Sequence, residues 1–291
     1  MKTIRITPIV IAAGAVLAAA ARVYVIGRTD MTVGTLFHDT SLICNLLYYG
    51  IIILTMLGAV ISSGLDEKRG VCGGPDATPG IKGVIAIGFG LLITALCCGY
   101  DGFVENNSLS PSLFVLITDL GAAVILGVIA FVTLYKKEFS PGLGFVYVLG
   151  GAYYVCRGIN CFMIRMAITT IPEYLVDCLT VICGAVFFVS FAKLMSGNGG
   201  KLTVKAFFAF GSAAFVISVS SFLGAAASKV LLSPEISQRI VFTANEAENN
   251  FQALHGIDAY LMAFPPLPNL AVGIFAAVAM IAVCFADGSR S

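Results

Sequence analysis

The chain has 291 residues, of which 58% are hydrophobic and 11% charged, and its 17 basic and 16 acidic side chains leave a net charge of +1. A soluble domain carries about 25% charged residues, so a chain with a mean hydropathy of +0.96 lacks the polar groups to coat a water-facing surface. Water is excluded as the solvent for most of the molecule, and the near-neutral, interspersed charge excludes nucleic acid as a partner.

A hydrocarbon core about 30 Å thick takes roughly 17–25 apolar residues per helix. Eight segments meet that length: about 7–26, 41–62, 84–100, 113–135, 143–160 or somewhat longer, 174–195, 204–230 and 268–286. Glycine, proline or charge bounds each one, and none alternates with period two, so spanning helices are predicted rather than a membrane barrel. The predicted fold is all-α. It is one polytopic transmembrane domain over 1–291, eight helices drawn as four hairpins, with the lipid bilayer as its constant partner.

The first segment, MKTIRITPIVIAAGAVLAAAA, has a basic start, an apolar run and an Ala-x-Ala ending at Ala21, which is also the grammar of a cleavable signal. Apolar character continues through Val23, Tyr24, Val25 and Ile26, which favours a first span.

Orientation follows from the basic residues. Lys2, Arg5, Lys68, Arg69, Lys82, Lys136, Lys137, Lys193, Lys201, Lys205 and Arg290 fall on one set of connections and ends, eleven against six on the other. The connection 101–112, DGFVENNSLSPS, holds no Lys or Arg. The positive-inside rule then puts both termini in the cytoplasm. Short loops suit a bacterial cytoplasmic membrane. Trp is absent, so an interfacial aromatic belt would fall to Tyr48, Tyr49, Tyr135, Tyr153 and Tyr154.

The fifth segment contains VLGGAYYVCRGINCF, an apolar run broken by Arg157. In the predicted orientation Arg22 and Arg157 share the outer half of the membrane with Asp119 and Asp177. Asp119 lies six residues past Leu113, about 9 Å below that helix end at roughly 1.5 Å per residue. Two readings compete. Arginines can snorkel to the headgroups, and aspartates near helix N-termini gain about 0.3–1 kcal/mol from the backbone dipoles. Alternatively, Asp119, Arg157, Asp177 and Arg22 face inward and form a charge-paired, outward-facing cavity for a zwitterion, an anion or a proton. An aspartate has one methylene and cannot snorkel, so Asp119 is the hardest charge to explain as bland.

The longest connection runs from 231 to 264. Within it Phe251, Leu254, Ile257 and Leu261 recur at three to four residues, predicting an amphipathic helix at about 246–263 on the outer leaflet. It would be either a lid or an inert interfacial helix. Pro265, Pro266 and Pro268 break the chain before the last span.

Other chemistry is not predicted. The nine cysteines include two C-x4-C pairs, 156/161 and 178/183, whose members stand about 140° apart on a helix and cannot converge on one ion. They are read as buried thiols. The two histidines, His38 and His255, fall in connections, and neither a His-Glu-x-x-His helix nor a Gly-Lys-Ser/Thr phosphate loop is present. No catalytic residue, metal site or cofactor is assigned. The function expected is transport of a small solute or ion, alone or as a membrane subunit. The alternative is a non-transporting scaffold or sensor acting through a protein partner.

Overall fold

In hydrocarbon no water completes a hydrogen bond, so backbone N–H and C=O groups bond within their own helix. A computed structural model describes residues 5–27, 42–69, 79–106, 113–139, 144–165, 172–231 and 267–286. These form eight helices: α1 Ile6–Gly27, α2 Leu42–Lys68, α3 Ile81–Asn106, α4 Leu113–Lys136, α5 Gly144–Arg165, α6 Pro172–Met195, α7 Lys201–Leu231 and α8 Leu267–Cys284. Among the described residues, seven of them are long and apolar enough to cross a membrane. The chain is a polytopic membrane protein. Seven of the eight expected spans coincide with these helices, and the eighth, α5, is a helix at the expected place whose side chains are described over 146–160 and 162.

Helix ends differ from the hydropathy bounds. α2 runs to Lys68 rather than 62 and α3 covers 81–106 rather than 84–100, while α5 reaches Arg165, as the longer form of the fifth segment allows. Hydropathy reports where the hydrocarbon ends, whereas backbone hydrogen bonding carries a helix on into the polar interface. The extension of α3 matters most, because it lifts Asp101 out of an expected connection and into a helix. The amphipathic helix expected at 246–263 lies outside the described residues.

α7 is the hub, packing on α1, α2, α6 and α8, while α8 also packs on α3, α3 on α4, and α5 on both α4 and α6. α1 and α2 run antiparallel. Asp66, near the end of α2, accepts bonds from the backbone N–H groups of Ile6 (3.0 Å) and Thr7 (2.9 Å) and from the Thr7 hydroxyl (2.8 Å) at the start of α1. Arg5 lies 3.7 Å from the ring centroid of Phe285, just past α8. The first turn of α1, whose N–H groups have no partner within the helix, is thus completed by another helix.

Close approach depends on small residues. A Cβ added at Gly273 of α8 would lie 2.6 Å from the Ser218 Cβ and 3.0 Å from the Ala214 carbonyl of α7. At Gly14 it would collide with Thr55 of α2. Hydroxyls inside the bundle bond their own preceding turn, as Thr94 does to the Gly90 carbonyl and Thr180 to that of Val176. Large apolar side chains such as Val16, Leu54, Leu96, Val124 and Phe131 face outward, as expected of helices solvated by lipid.

The two ends of the bundle are built differently. Toward the α6–α7 turn the core is aromatic: Phe187 stacks on Phe207 at 5.3 Å, and Phe188 on Phe275 at 5.2 Å. That turn is closed by Gly197 at φ 73°, with the N–H of Asn198 bonded to the Lys193 carbonyl. Toward the opposite end the interior becomes polar.

Replacing Asp66 by Ala strands the N–H groups that start α1, and hydrogen bonds to a charged group are worth about 1.5–3 kcal/mol each. Asp66→Ala should therefore unfold at visibly lower temperature or denaturant concentration than wild type in detergent. A variant within about 0.5 kcal/mol of wild type would show that the cap contributes little.

Candidate functional site

The polar end is organised by α3, α4 and α5. Tyr153 and Arg157 are four residues apart, so they share one face of α5. Cys98 and Asp101, three apart, share one face of α3 in the same way. Asp119 enters from α4, and Gly102 of α3 gives it room, since a Cβ there would lie 3.3 Å from the Asp119 Cβ.

Arg157 answers the charge placed beside it from two sides. Its Nη2 meets Asp101 Oδ2 at 2.8 Å. Its Nη1 meets Asp119 Oδ1 at 3.2 Å and Oδ2 at 3.5 Å, and donates to the Tyr153 hydroxyl at 3.2 Å. Tyr153 in turn donates to Asp119 Oδ1 at 2.8 Å. The Asp119 side chain is 1% exposed and that of Arg157 12%, while Asp101 retains 26%. Exposed ion pairs contribute little. This one is mostly withdrawn from solvent, where an unpaired charge is costly and pairing is obligatory. The cluster has a further property. It sets two carboxylates against one guanidinium.

The expected site residues are not gathered in one place. Asp119 and Arg157 pair directly. Arg22 is buried on α1 and stands 5.6 Å from the ring centroid of Tyr48 on α2. Asp177, buried on α6, accepts a long bond (3.4 Å) from the Asn269 amide of α8. A roll of polar contacts nevertheless continues across the bundle. Tyr48 and Ser220 share a 2.8 Å hydroxyl bond between α2 and α7, Ser218 of α7 donates to the Asn269 carbonyl at 2.7 Å, and Tyr154 of α5 donates to the Pro268 carbonyl at 2.8 Å. Each of the eight helices contributes at least one residue at this end.

Asp101, Tyr153 and Asn269 are the functional-site neighbours that the sequence reading missed. Asp101 sits in an Asp-Gly pair beside a hydrophilic stretch, which reads as a turn. Tyr48, Tyr153 and Tyr154 were expected at the membrane interface and are instead buried, whereas Tyr135 is exposed. The one available signal was the four-residue spacing of Tyr153 and Arg157. No group of three or more His, Cys, Asp or Glu side chains able to hold a metal exists among the described residues. None of the described thiols Cys97, Cys98, Cys156, Cys178, Cys183 and Cys284 forms a disulfide. His38 and His255 lie outside the described residues, as do Cys72 and the side chains of Cys44 and Cys161.

A double-mutant cycle tests the pairing. Arg157→Gln should destabilise the protein by about 3–5 kcal/mol because it leaves buried carboxylate charge without its counter-ion. In alkaline buffer, with both carboxylates ionised, adding Asp119→Asn should recover much of that loss, with a coupling of about 1–3 kcal/mol in denaturant unfolding. Strict additivity would mean that the two groups do not interact in the folded protein.

Compared with protein-family models, with curated proteins and with solved structures, the chain matches none.

Proposed function

We propose that this membrane protein is a transporter of a small solute or ion, or the membrane subunit of one, and that the Arg157 cluster is its ligand-responsive centre. The observation that carries this reading is the pairing of Arg157 with Asp101 and Asp119 inside a helical bundle. Apolar side chains would pack α3, α4 and α5 together at no electrostatic cost, and buried ion pairs are weak stabilisers next to a well-packed hydrophobic isostere. Ionisable groups kept at membrane depth characteristically serve ion or substrate paths. The cluster is also reversible in kind, because two acceptors compete for one guanidinium. A ligand or ion that engages one carboxylate would free Arg157 to swing to the other.

Orientation supports an outward-facing site. Lys68, Lys82, Lys136, Lys193, Lys201 and Lys205 lie at the helix ends opposite the cluster, which by the positive-inside rule is the cytoplasmic side. The membrane would be a bacterial cytoplasmic one, with both chain ends inside. Energy would then come from an ion gradient or from a partner.

The scaffold or sensor reading has one observation in its favour: each ion of the cluster is paired within the protein, as in a purely structural clasp of three helices. Reconstitution separates the two. In proteoliposomes with imposed proton, sodium or potassium gradients, the wild type should carry a measurable flux. Asp119→Asn and Arg157→Gln, checked as folded by gel filtration, should each lower it about tenfold or more, equivalent to a barrier change of ~1.4 kcal/mol. Flux equal to that of empty vesicles, or unchanged in both variants, would overturn the transport reading. A stoichiometric protein partner in native mass spectra would then favour the scaffold.

A further inference from the structure

We infer that the Asp101–Arg157–Asp119 cluster binds one exchangeable proton, and that Asp119 carries it. The inference deepens the transport reading by naming the ion, and in that sense rests on it. It begins from a count. Two carboxylates and one guanidinium leave one unit of negative charge when all three are ionised. In a site this withdrawn from solvent a net charge is disfavoured, and one added positive charge restores neutrality.

Geometry selects the proton over a metal cation. A metal ion needs a shell of several oxygen ligands, whereas both carboxylates here already face the Arg157 guanidinium at 2.8 and 3.2 Å. A cation entering that space would meet a fixed positive charge. A proton needs no shell.

Geometry also selects the carboxylate. Asp101 is the more exposed of the two and makes the shorter contact with Arg157, so its charge is both solvated and neutralised. Asp119 is almost wholly buried, and Arg157 approaches it less closely. Its Oδ1 is occupied, accepting from Tyr153 at 2.8 Å and from Arg157 at 3.2 Å. Among the described residues its Oδ2 has only the 3.5 Å contact with Nη1. A proton on Oδ2 leaves the bonds at Oδ1 in place and lets Arg157 pair fully with Asp101. Among the described residues, the titratable and charged groups that face Asp119 are Asp101 and Cys98 from α3, and Tyr153, Tyr154 and Arg157 from α5. Of these only Arg157 carries positive charge.

Infrared spectroscopy of the purified full-length protein in lipid nanodiscs tests this at one neutral pH, with H2O/D2O exchange as the probe. Wild type should show a protonated-carboxyl band that shifts in D2O. Asp119→Asn, which mimics the protonated form and so should fold, should lack the band. Asp101→Asn should lack it too, because Arg157 then neutralises Asp119 alone. Arg157→Gln should keep it, and Asp119→Glu should restore it at a shifted frequency. The inference is overturned if wild type has no exchangeable carboxyl band, or if the band survives Asp119→Asn. The readout is independent of flux. A protein with the band and no flux retains the proton site and loses the transport reading, and flux without the band does the reverse.

Discussion

A chain dissolved in hydrocarbon has no water with which to finish a hydrogen bond, and this one constraint organises the interior. Backbone groups solve it by forming helices, and serine and threonine hydroxyls solve it by bonding the preceding turn, as at Thr94 and Thr180. Side chains too strong to be satisfied locally must find a partner on another helix. Asp66 finds the bare N–H groups at the start of α1, and Arg157 finds Asp101 and Asp119. Such bonds fix which helices are neighbours and at what height, a specification that contacts among Leu, Ile and Ala side chains, alike on every helix, supply only weakly.

The result is a bundle with a division of labour along its length. Near the α6–α7 turn, the rings of Phe187, Phe188, Phe207 and Phe275 interlock. Aromatic pairs have preferred geometries and add packing energy beyond the area they bury, which suits a rigid base. At the other end the same helices meet through Tyr48–Ser220, Ser218–Asn269, Asn269–Asp177, Tyr154–Pro268 and the Arg157 cluster. Polar contacts of this kind have alternatives close in energy, and Arg157 already divides its donors between two acids. Rearrangement, if function requires it, is cheaper there than among the rings.

α5 joins the two regimes. It carries Tyr147 into the aromatic base and Tyr153, Tyr154 and Arg157 into the polar end. Its polar side chains Tyr153 and Arg157 are turned toward α3 and α4. The unequal sharing of Arg157 also links α3 to α4 through α5, so a change at one carboxylate is felt on three helices.

The solvent, the helical class and the approximate helix positions were legible in the sequence, because composition and run length respond directly to the hydrocarbon. Asp119 and Arg157 were legible as anomalies for the same reason: a charge in an apolar run stands out against its background. Asp101 was not, since its Asp-Gly setting at the edge of a polar stretch resembles a turn, and only the continuation of α3 to Asn106 turns it toward Arg157. Nor could the sequence separate Arg22 and Asp177 from that pair. Their common depth was readable from distance to a helix end, but their distance from one another depends on which helices are adjacent, and that is decided by packing: α1 lies against α2 and α7, while α5 lies against α4 and α6. Hydropathy is a property of each segment alone, whereas the partner of a buried charge is a property of two segments, and only the tertiary structure brings those together.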